Sequence, residues 1–565
     1  QVLGQIANLG FNLEMNMKKI YLVPLISLVF FSGYAAENDQ TLSANTIEEQ
    51  NLHQHIAMLA SDAFGGRAPG SEGGEKTKEY LVNVFQQLSL ETINGNYLLD
   101  VPLVEVSVDK GSYISILQDD GEKMLEQGSE TVFWTKRVQE QVSVDDSEMV
   151  FVGYGIVAPE YGWNDYQGMD MTGKTAVMLI NDPGFATQND ALFKGNAMTY
   201  YGRWTYKYEE AARQGAEAVV IIHETAPAAY PWQVVETSWQ GKQIDLKRED
   251  MGLNRVKVES WITHSIAQGL FAKSGLDLER LKQQALTAEF KPVVMKGLNL
   301  KARLNNTIRF TNSHNVAAVK KGSLRPNEYI LMMAHWDHLG TKEEQAGDNI
   351  YNGAVDNATG VAGILELAET LNDYNNERSL LYLAVTAEES GLLGSAYFAE
   401  YPPIDLSQVV AGFNFDAMQP RGKLKDVVVV GYGASQLEDI LEKKLQKYDK
   451  YLVPDPEPEK GYFYRSDHIS LSKKGVPMLY ADGGIDKVEG GIEAGEQLAL
   501  NYVTKDYHQP SDEYATDWDL SGIAEQLSIT AEIILDLANS EDWPEWYEGN
   551  EFRSIREASR MSPTN

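Results

Sequence analysis

Tyr329-Ile330-Leu331-Met332-Met333-Ala334-His335-Trp336-Asp337-His338 is an apolar run that ends in imidazoles and a carboxylate. Aliphatic runs of this length, closed by polar residues, read as buried strands. The pattern recurs downstream. Leu380-Leu381-Tyr382-Leu383-Ala384-Val385 leads to Glu388-Glu389, and Val409-Val410-Ala411-Gly412-Phe413 leads to Asp416. Between them, Asp356 opens a helix whose apolar positions are Val361, Ile364, Leu365 and Ala368. Open α/β sheets gather ligands at the carboxyl ends of their strands. An α/β fold is therefore expected, with one His and several carboxylates converging on one rim. Donors of that hardness, with no thiolate among them, suit a hydrolytic zinc site.

The bulk composition narrows the function classes. At 565 residues the chain exceeds what one small core needs, so two folding units are expected. The formal net charge is −34, which argues against nucleic acid or an anionic membrane as a partner. No cysteine is present, which excludes disulfides, a thiol nucleophile and thiolate metal sites. Met17-Lys18-Lys19, the apolar stretch Ile20 to Phe31, and Gly33-Tyr34-Ala35 have the layout of an export signal. The apolar run is short for a bilayer span, so no stable membrane insertion is expected after cleavage. Residues 1–36 are therefore set aside as upstream sequence and signal peptide, and the protein is expected to be periplasmic or secreted.

Outward from the site stretch, a helix is expected near Thr46 to Ala60, followed by the loop Phe64-Gly65-Gly66-Arg67-Ala68-Pro69-Gly70. Leu81, Val84, Phe85 and Leu88 stand at helical spacing. Val101 to Val108 alternates as a half-buried strand does. A mixed α/β insert spans residues 129–293, which divides the other unit into 37–128 and 294–540. Gly475 to Tyr480 reads as a strand and Leu520 to Leu537 as a helix. The tail at 541–565, acidic and then polar, is expected to fray.

Of the nine histidines, His53, His55, His223, His264 and His314 lack an acidic pattern around them. His335 ends a strand and has Asp337 two residues on, a carboxylate that could orient its ring. Asp356 fits an N-cap as well as a ligand, but Gly353 and Gly360 beside it would permit close approach. Two adjacent carboxylates, Glu388 and Glu389, are costly to bury unpaired. One could bind metal while the other takes a proton from water. His508 lies next to Tyr507 in a proline-bounded loop that can deliver a ligand and a phenol together. Gly431-Tyr432-Gly433 lacks the third glycine of a dinucleotide fingerprint and reads as a strand-to-helix turn.

The order His335, Asp356, Glu388-Glu389, Asp416, His508 resembles metallopeptidase family 28, the co-catalytic di-zinc aminopeptidases. Val355-Asp356-Asn357-Ala358-Thr359-Gly360-Val361, Glu388-Glu389-Ser390-Gly391-Leu392-Leu393-Gly394-Ser395 and Arg465-Ser466-Asp467-His468 reinforce it. The insert resembles a protease-associated domain through Phe151-Val152-Gly153-Tyr154-Gly155 and Gly215-Ala216-Glu217-Ala218-Val219. The resemblance implies an α/β/α sandwich with a mixed, mainly parallel sheet. It implies two zinc ions per chain bridged by Asp356, with His335 and Asp416 on one and Glu389 and His508 on the other. Glu388 would be the general base, Asp337 would orient His335, and Tyr507, or else Tyr464, would stabilise the oxyanion. His338 and His468 would play supporting parts. Peptides would be the substrates.

The same resemblance leaves rivals. A glutamate-releasing carboxypeptidase would show an Arg cluster in its substrate pocket. A cyclotransferase relative would hold a single zinc. A receptor-like module without activity would have lost ligands, and the full set argues against it.

Overall fold

The computed structural model describes residues 42–43, 46–239, 241–342 and 347–561. The expected export signal lies outside them. No described helix is long and apolar enough to cross a membrane.

Two parallel cores lie along one 16-stranded mixed sheet. In the first, Arg325–His335 runs parallel to both Arg378–Val385 and Val409–Asn414, and Met478–Gly483 extends the order. Every residue of Arg378–Val385 is buried, as expected for a strand covered on both faces. The helices Glu49–Leu59, Gly360–Asn372 and Ser521–Ala538 pack on one face through Leu52, Ile56, Ile364, Leu365, Leu527 and Ile534. A second layer closes on the other face through Leu331, Met333, Leu381 and Phe398. The result is helices on both sides of a mainly parallel sheet, as expected.

The second core is built on Gln141–Phe151, Thr175–Leu179, Ala218–His223 and Val258–Thr263, paired in parallel. Its apolar cluster draws on Ile114 at one end and Leu304 at the other, a wider span than the expected 129–293. The two cores share one element, the 28-residue strand Val293–Lys320. Its first half pairs with Tyr113–Gln118 and Gln141–Phe151, and its last residues pair with Arg378–Val385. One strand thus serves as a common beam, which sequence alternation alone does not reveal. The ion pair of Glu209 with Lys473, at 3.0 Å, ties the second core to the first from outside the sheet.

Two expectations need correction. The strand expected at Gly475 to Tyr480 is Met478–Gly483, because Gly475 takes a left-handed φ of 88° in the turn that precedes it. Through Met561 the tail does not fray. Trp546 is 1% exposed and its indole N–H donates to the Gly475 carbonyl at 2.9 Å. Phe552 is buried, and Arg553–Met561 forms a helix whose Arg556 donates to the Val409 carbonyl at 2.8 Å. A polar composition concealed two aromatic anchors and a guanidinium that reach carbonyls and apolar side chains distant along the chain. Trp546→Ala should therefore destabilise the protein by roughly 3–5 kcal/mol, the usual range for a buried Trp. Urea unfolding measures it, and a change below about 0.5 kcal/mol, typical of a surface site, would contradict an anchored tail.

Candidate metal centre

Asp356 stands at the middle of the site. Its Oδ1 lies 3.2 Å from His335 Nε2, and its Oδ2 lies 3.2 Å from His508 Nε2. Each imidazole also meets a second carboxylate: Asp416 Oδ1 is 3.2 Å from His335 Nε2, and Glu389 Oε2 is 3.2 Å from His508 Nε2. Donor atoms of His335, Glu388 and Asp416 form one cluster, and those of His338, Asp356 and Glu389 form another. The structure thus gathers His335, Asp356, Glu388, Glu389, Asp416 and His508. It sends the two adjacent glutamates to different clusters.

Local backbone chemistry explains how. Asp356 does not cap the helix that follows it. The capping bond is made by its neighbour, Asn357, whose backbone is non-helical like that of Asp356. Asn357 Oδ1 accepts from Gly360 N at 2.9 Å and from Ala417 N at 3.1 Å, while Nδ2 donates to the Phe415 carbonyl at 3.0 Å. One buried amide therefore caps the helix and also fixes the loop that carries Asp416. A Cβ on Gly360 would come within 2.4 Å of the Phe415 carbonyl, so only glycine permits this approach. Ala387, Ala417 and His508 all have φ between 53° and 57°, strained for residues with a Cβ. All three adjoin or carry site groups, where such strain concentrates.

Asp337 orients His335 by a route other than the expected one. Its carboxylate is 3.9 Å from His335 Nδ1, whereas its main-chain carbonyl accepts at 3.1 Å. Its Oδ1 instead accepts the Glu388 amide N–H at 3.1 Å, holding the strand end that carries both glutamates. A carbonyl can only accept, so Nδ1 keeps its hydrogen and neutral His335 presents the Nε2 lone pair to two carboxylates. That arrangement is repulsive unless a proton or a cation lies between them. Two donors on a tetrahedral ion with bonds of about 2.0 Å sit about 3.3 Å apart, which matches the four 3.2 Å spacings. The donor set, imidazole and carboxylate without sulfur, fits a divalent cation of the zinc type.

Four supporting residues were missed by the sequence reading. Arg67, 1% exposed, donates to the carbonyls of Leu59, Trp336, Asn352 and Gly353, which joins its loop to the turns bearing His335 and Asp356. Asp512 accepts from the amides of Val355 and Asp356 at 2.9 and 3.1 Å. Ser466 donates to Asp416 Oδ2 at 2.6 Å. Asn357 completes the set. A buried-loop Arg between glycines and a carboxylate four residues after His508 were the available signals.

His338 is closer to the chemistry than a supporting part implied: its Nδ1 is 2.6 Å from Glu389 Oε1. Its ring packs so near Gly353 that a Cβ there would come within 2.5 Å. Tyr464 is committed elsewhere, its hydroxyl donating to Glu551 at 2.7 Å. Tyr507 is 45% exposed on the rim, its ring stacked on His508 at 4.0 Å.

The protein groups set the electrostatics. Burial works to lower the His335 pKa, but Glu388, Asp416 and Asp356 outweigh it and hold the imidazole well above its ordinary value. Burial raises Glu388 well above the carboxylate range, and the negative charges of Glu389, Asp416 and Asp467 add to it against the pull of His335. Asp337 is pushed by burial up to about 6. His508 rises to about 9, because Asp356 and Glu389 outweigh its burial.

With this geometry in hand, comparison with known proteins places the class. Residues 315–531 match the model of peptidase family M28. It is 21% identical over 546 residues to a "Glutamate carboxypeptidase 2 homolog" of Caenorhabditis elegans, covering 86% of this chain and 64% of the relative. It is 23% identical over 224 residues to "Aminopeptidase YwaD" of Bacillus subtilis, covering 39% of this chain and 46% of that one. The chain thus spans less than two thirds of the length of these relatives. Among solved structures, an aminopeptidase from Aneurinibacillus sp. strain AM-1 aligns with a TM-score of 0.47 at 19% identity, over 88% of this chain and 95% of that one.

The raised His508 pKa fixes the sign of a pH effect. In chelator-treated protein, its protonated form contributes stability that is complete below the unfolded value of about 6.5 and is lost as pH rises through about 9. Metal binding requires the neutral ring. Zinc affinity of the chelated protein should therefore rise between these values, with proton release. Zinc titrations in two buffers of different ionisation enthalpy measure both, and a flat profile without proton release would contradict the assignment.

Proposed function

We propose that this chain is an exported zinc exopeptidase, foremost an aminopeptidase that removes N-terminal residues from peptides. The observation that carries the reading is the Asp356 carboxylate, spread between two imidazoles that each face a further carboxylate at 3.2 Å. The match of residues 315–531 to peptidase family M28 supports it. Cations held by His335, Asp356 and Asp416, and by Asp356, Glu389 and His508, would lower the pKa of water and polarise the scissile carbonyl. His338, beside Glu389, is placed to steady the second set.

Glu388 supplies the proton chemistry. Its raised pKa suits a base that takes a proton from water and returns it to the leaving amine. Asp337 holds the Glu388 amide and so fixes where that carboxylate stands. Tyr507, exposed beside His508, is the donor available to a developing oxyanion. The carboxylates Glu388 and Glu389 on the rim attract the ammonium of a free N-terminus.

Substrate enters a cleft of about 580 Å³ between the two cores. Trp134, Trp239 and Tyr230 from the second core form its far wall, opposite Glu388, Glu389 and His508. The second core therefore shapes entry and contributes no residue to the ligand set. Two cations in this cleft favour a second reading. Arg203 Nε and Arg465 Nε and Nη2 are buried without a hydrogen-bond partner among the described residues, in a strongly acidic chain. Buried guanidinium nitrogens without a hydrogen-bond partner are costly and fit a carboxylate, though the Arg465 guanidinium also lies over the Tyr230 and Tyr462 rings; they support a carboxypeptidase that grips a C-terminal acid. The name of the nematode relative points the same way.

Two experiments separate these readings. Glu388→Gln should cut turnover by roughly 10²–10⁴-fold with zinc content unchanged at two per chain, while Glu389→Gln should lose zinc. Reversed outcomes would exchange their roles, and one zinc per chain in the unaltered protein would favour the cyclotransferase rival. Arg203→Met should raise KM for free-acid peptides by about 10- to 100-fold if a charge-assisted bond is lost. Equal kinetics on free-acid and C-terminally amidated peptides, before and after the substitution, would remove the carboxypeptidase reading. Fractionation of expressing cells tests export.

A further inference from the structure

A second group of metal-ligating side chains lies outside the site, between the helices Glu49–Leu59 and Gly360–Asn372. It comprises His55, Glu366 and Glu369, whose donor atoms all lie within 4.8 Å of one another. Glu366 is the unusual member. It is 1% exposed, yet its Oε1 has no hydrogen-bond partner among the described residues, and the Asn51 amide reaches Oε2 only at 3.4 Å. Its one ion-pair partner among the described residues is His55, whose Nε2 is 3.4 Å from Oε1. An imidazole is not a permanent positive charge of the kind a buried carboxylate requires. Glu369, one turn further along the helix, brings a second negative charge to the same point from the solvent side.

The other ring nitrogen of His55 is already engaged. Nδ1 lies 2.7 Å from the Tyr80 hydroxyl. When Nδ1–H donates to the phenol oxygen, Nε2 turns a lone pair toward both carboxylates. Metal-bound imidazoles are commonly held in this way, with the remote N–H fixed by an oxygen acceptor. The 3.4 Å separation of Nε2 and Oε1 is close to the spacing of about 3.3 Å between two donors on a tetrahedral ion. One nitrogen and two carboxylates, partly open to solvent through Glu369, match a first-row divalent cation with water completing its shell.

We propose that His55, Glu366 and Glu369 form a structural divalent-cation site, best filled by zinc, that clamps the N-terminal helix to the helix following Asp356. The clamp neutralises the buried Glu366 charge and joins two elements that pack against each other below the site. It takes no part in catalysis, since it shares no residue with the ligand set of the cleft.

The test compares the unaltered protein with Glu369→Gln and Glu369→Lys. Glu369 is exposed, so neither change should prevent folding. Each protein is dialysed to equilibrium against the same low ZnCl₂ concentration, and bound zinc is counted by elemental analysis. Thermal unfolding is followed with and without zinc. The unaltered protein should bind one more equivalent than Glu369→Gln, and that variant should lose part of the zinc-dependent rise in Tm. Glu369→Lys should also lose that equivalent, because its ammonium replaces the ion, and it should be more stable than Glu369→Gln in the presence of chelator. Equal zinc content in all three proteins would overturn the proposal and leave His55 and Glu366 as a simple ion pair. The difference between variants is read independently of how many ions the cleft holds.

Discussion

Negative charge confined in a dry place is the constraint on which this structure turns. Asp356, Glu389 and Asp416 face two imidazoles, with Glu388, Asp337 and Asp512 close behind, and burial lifts several of these carboxylates out of their ordinary range. Such a cluster is tolerable only if positive charge enters it. The imidazoles of His335 and His508 are held above their ordinary pKa for that reason, and the same pull would favour a divalent cation. Arg67 is the fixed counter-charge beneath, held off the carboxylates themselves by its four carbonyl acceptors. It stabilises the loops without neutralising the groups that must bind.

The fold serves that cluster by rigid support from main-chain hydrogen bonds. Asn357 ties the helix start to the Asp416 loop, Asp512 receives the two amides around Asp356, and Asp337 receives the amide of Glu388. Each link joins segments far apart in the chain, so the donor spacings are set by the sheet and the core helix packed on it. The long strand Val293–Lys320 carries this frame into the second core and so fixes where Arg203 and the tryptophan wall stand opposite the glutamates. The tail adds a brace. Glu551 accepts from Tyr464 and lies 3.6 Å from Lys194 of the second core, close to the mouth of the cleft.

Much of this was legible in the sequence because burial on both faces of a parallel strand leaves an uninterrupted apolar run. Tyr329 to Ala334, Leu380 to Val385 and Val409 to Phe413 announce themselves in that way, and the polar residues that end them mark the rim. The helix after Asp356 was equally plain from its apolar positions. The ordered set His335, Asp356, Glu388, Glu389, Asp416, His508 could be named before any coordinates, and the fold brings all six together.

What the sequence could not decide were contacts between residues distant along the chain. Periodicity cannot tell that Asn357 rather than Asp356 caps the helix, because the cap depends on where the Asp416 loop arrives. Nor can it tell that Asp337 steers His335 through its carbonyl, at 3.1 Å, while its carboxylate stands at 3.9 Å. The tail read as loose because the carbonyls that receive the Trp546 indole and the Arg556 guanidinium, those of Gly475 and Val409, lie far from it along the chain. The guanidinium groups of Arg203 and Arg465, each with nitrogens that lack a hydrogen-bond partner among the described residues, lie 262 positions apart and become a feature only when the two cores face each other. Local pattern determined the elements and the chemistry at their ends; three-dimensional packing alone determined which of those ends meet, since hydrogen bonds and ion pairs act over a few ångströms of space and take no account of distance along the chain.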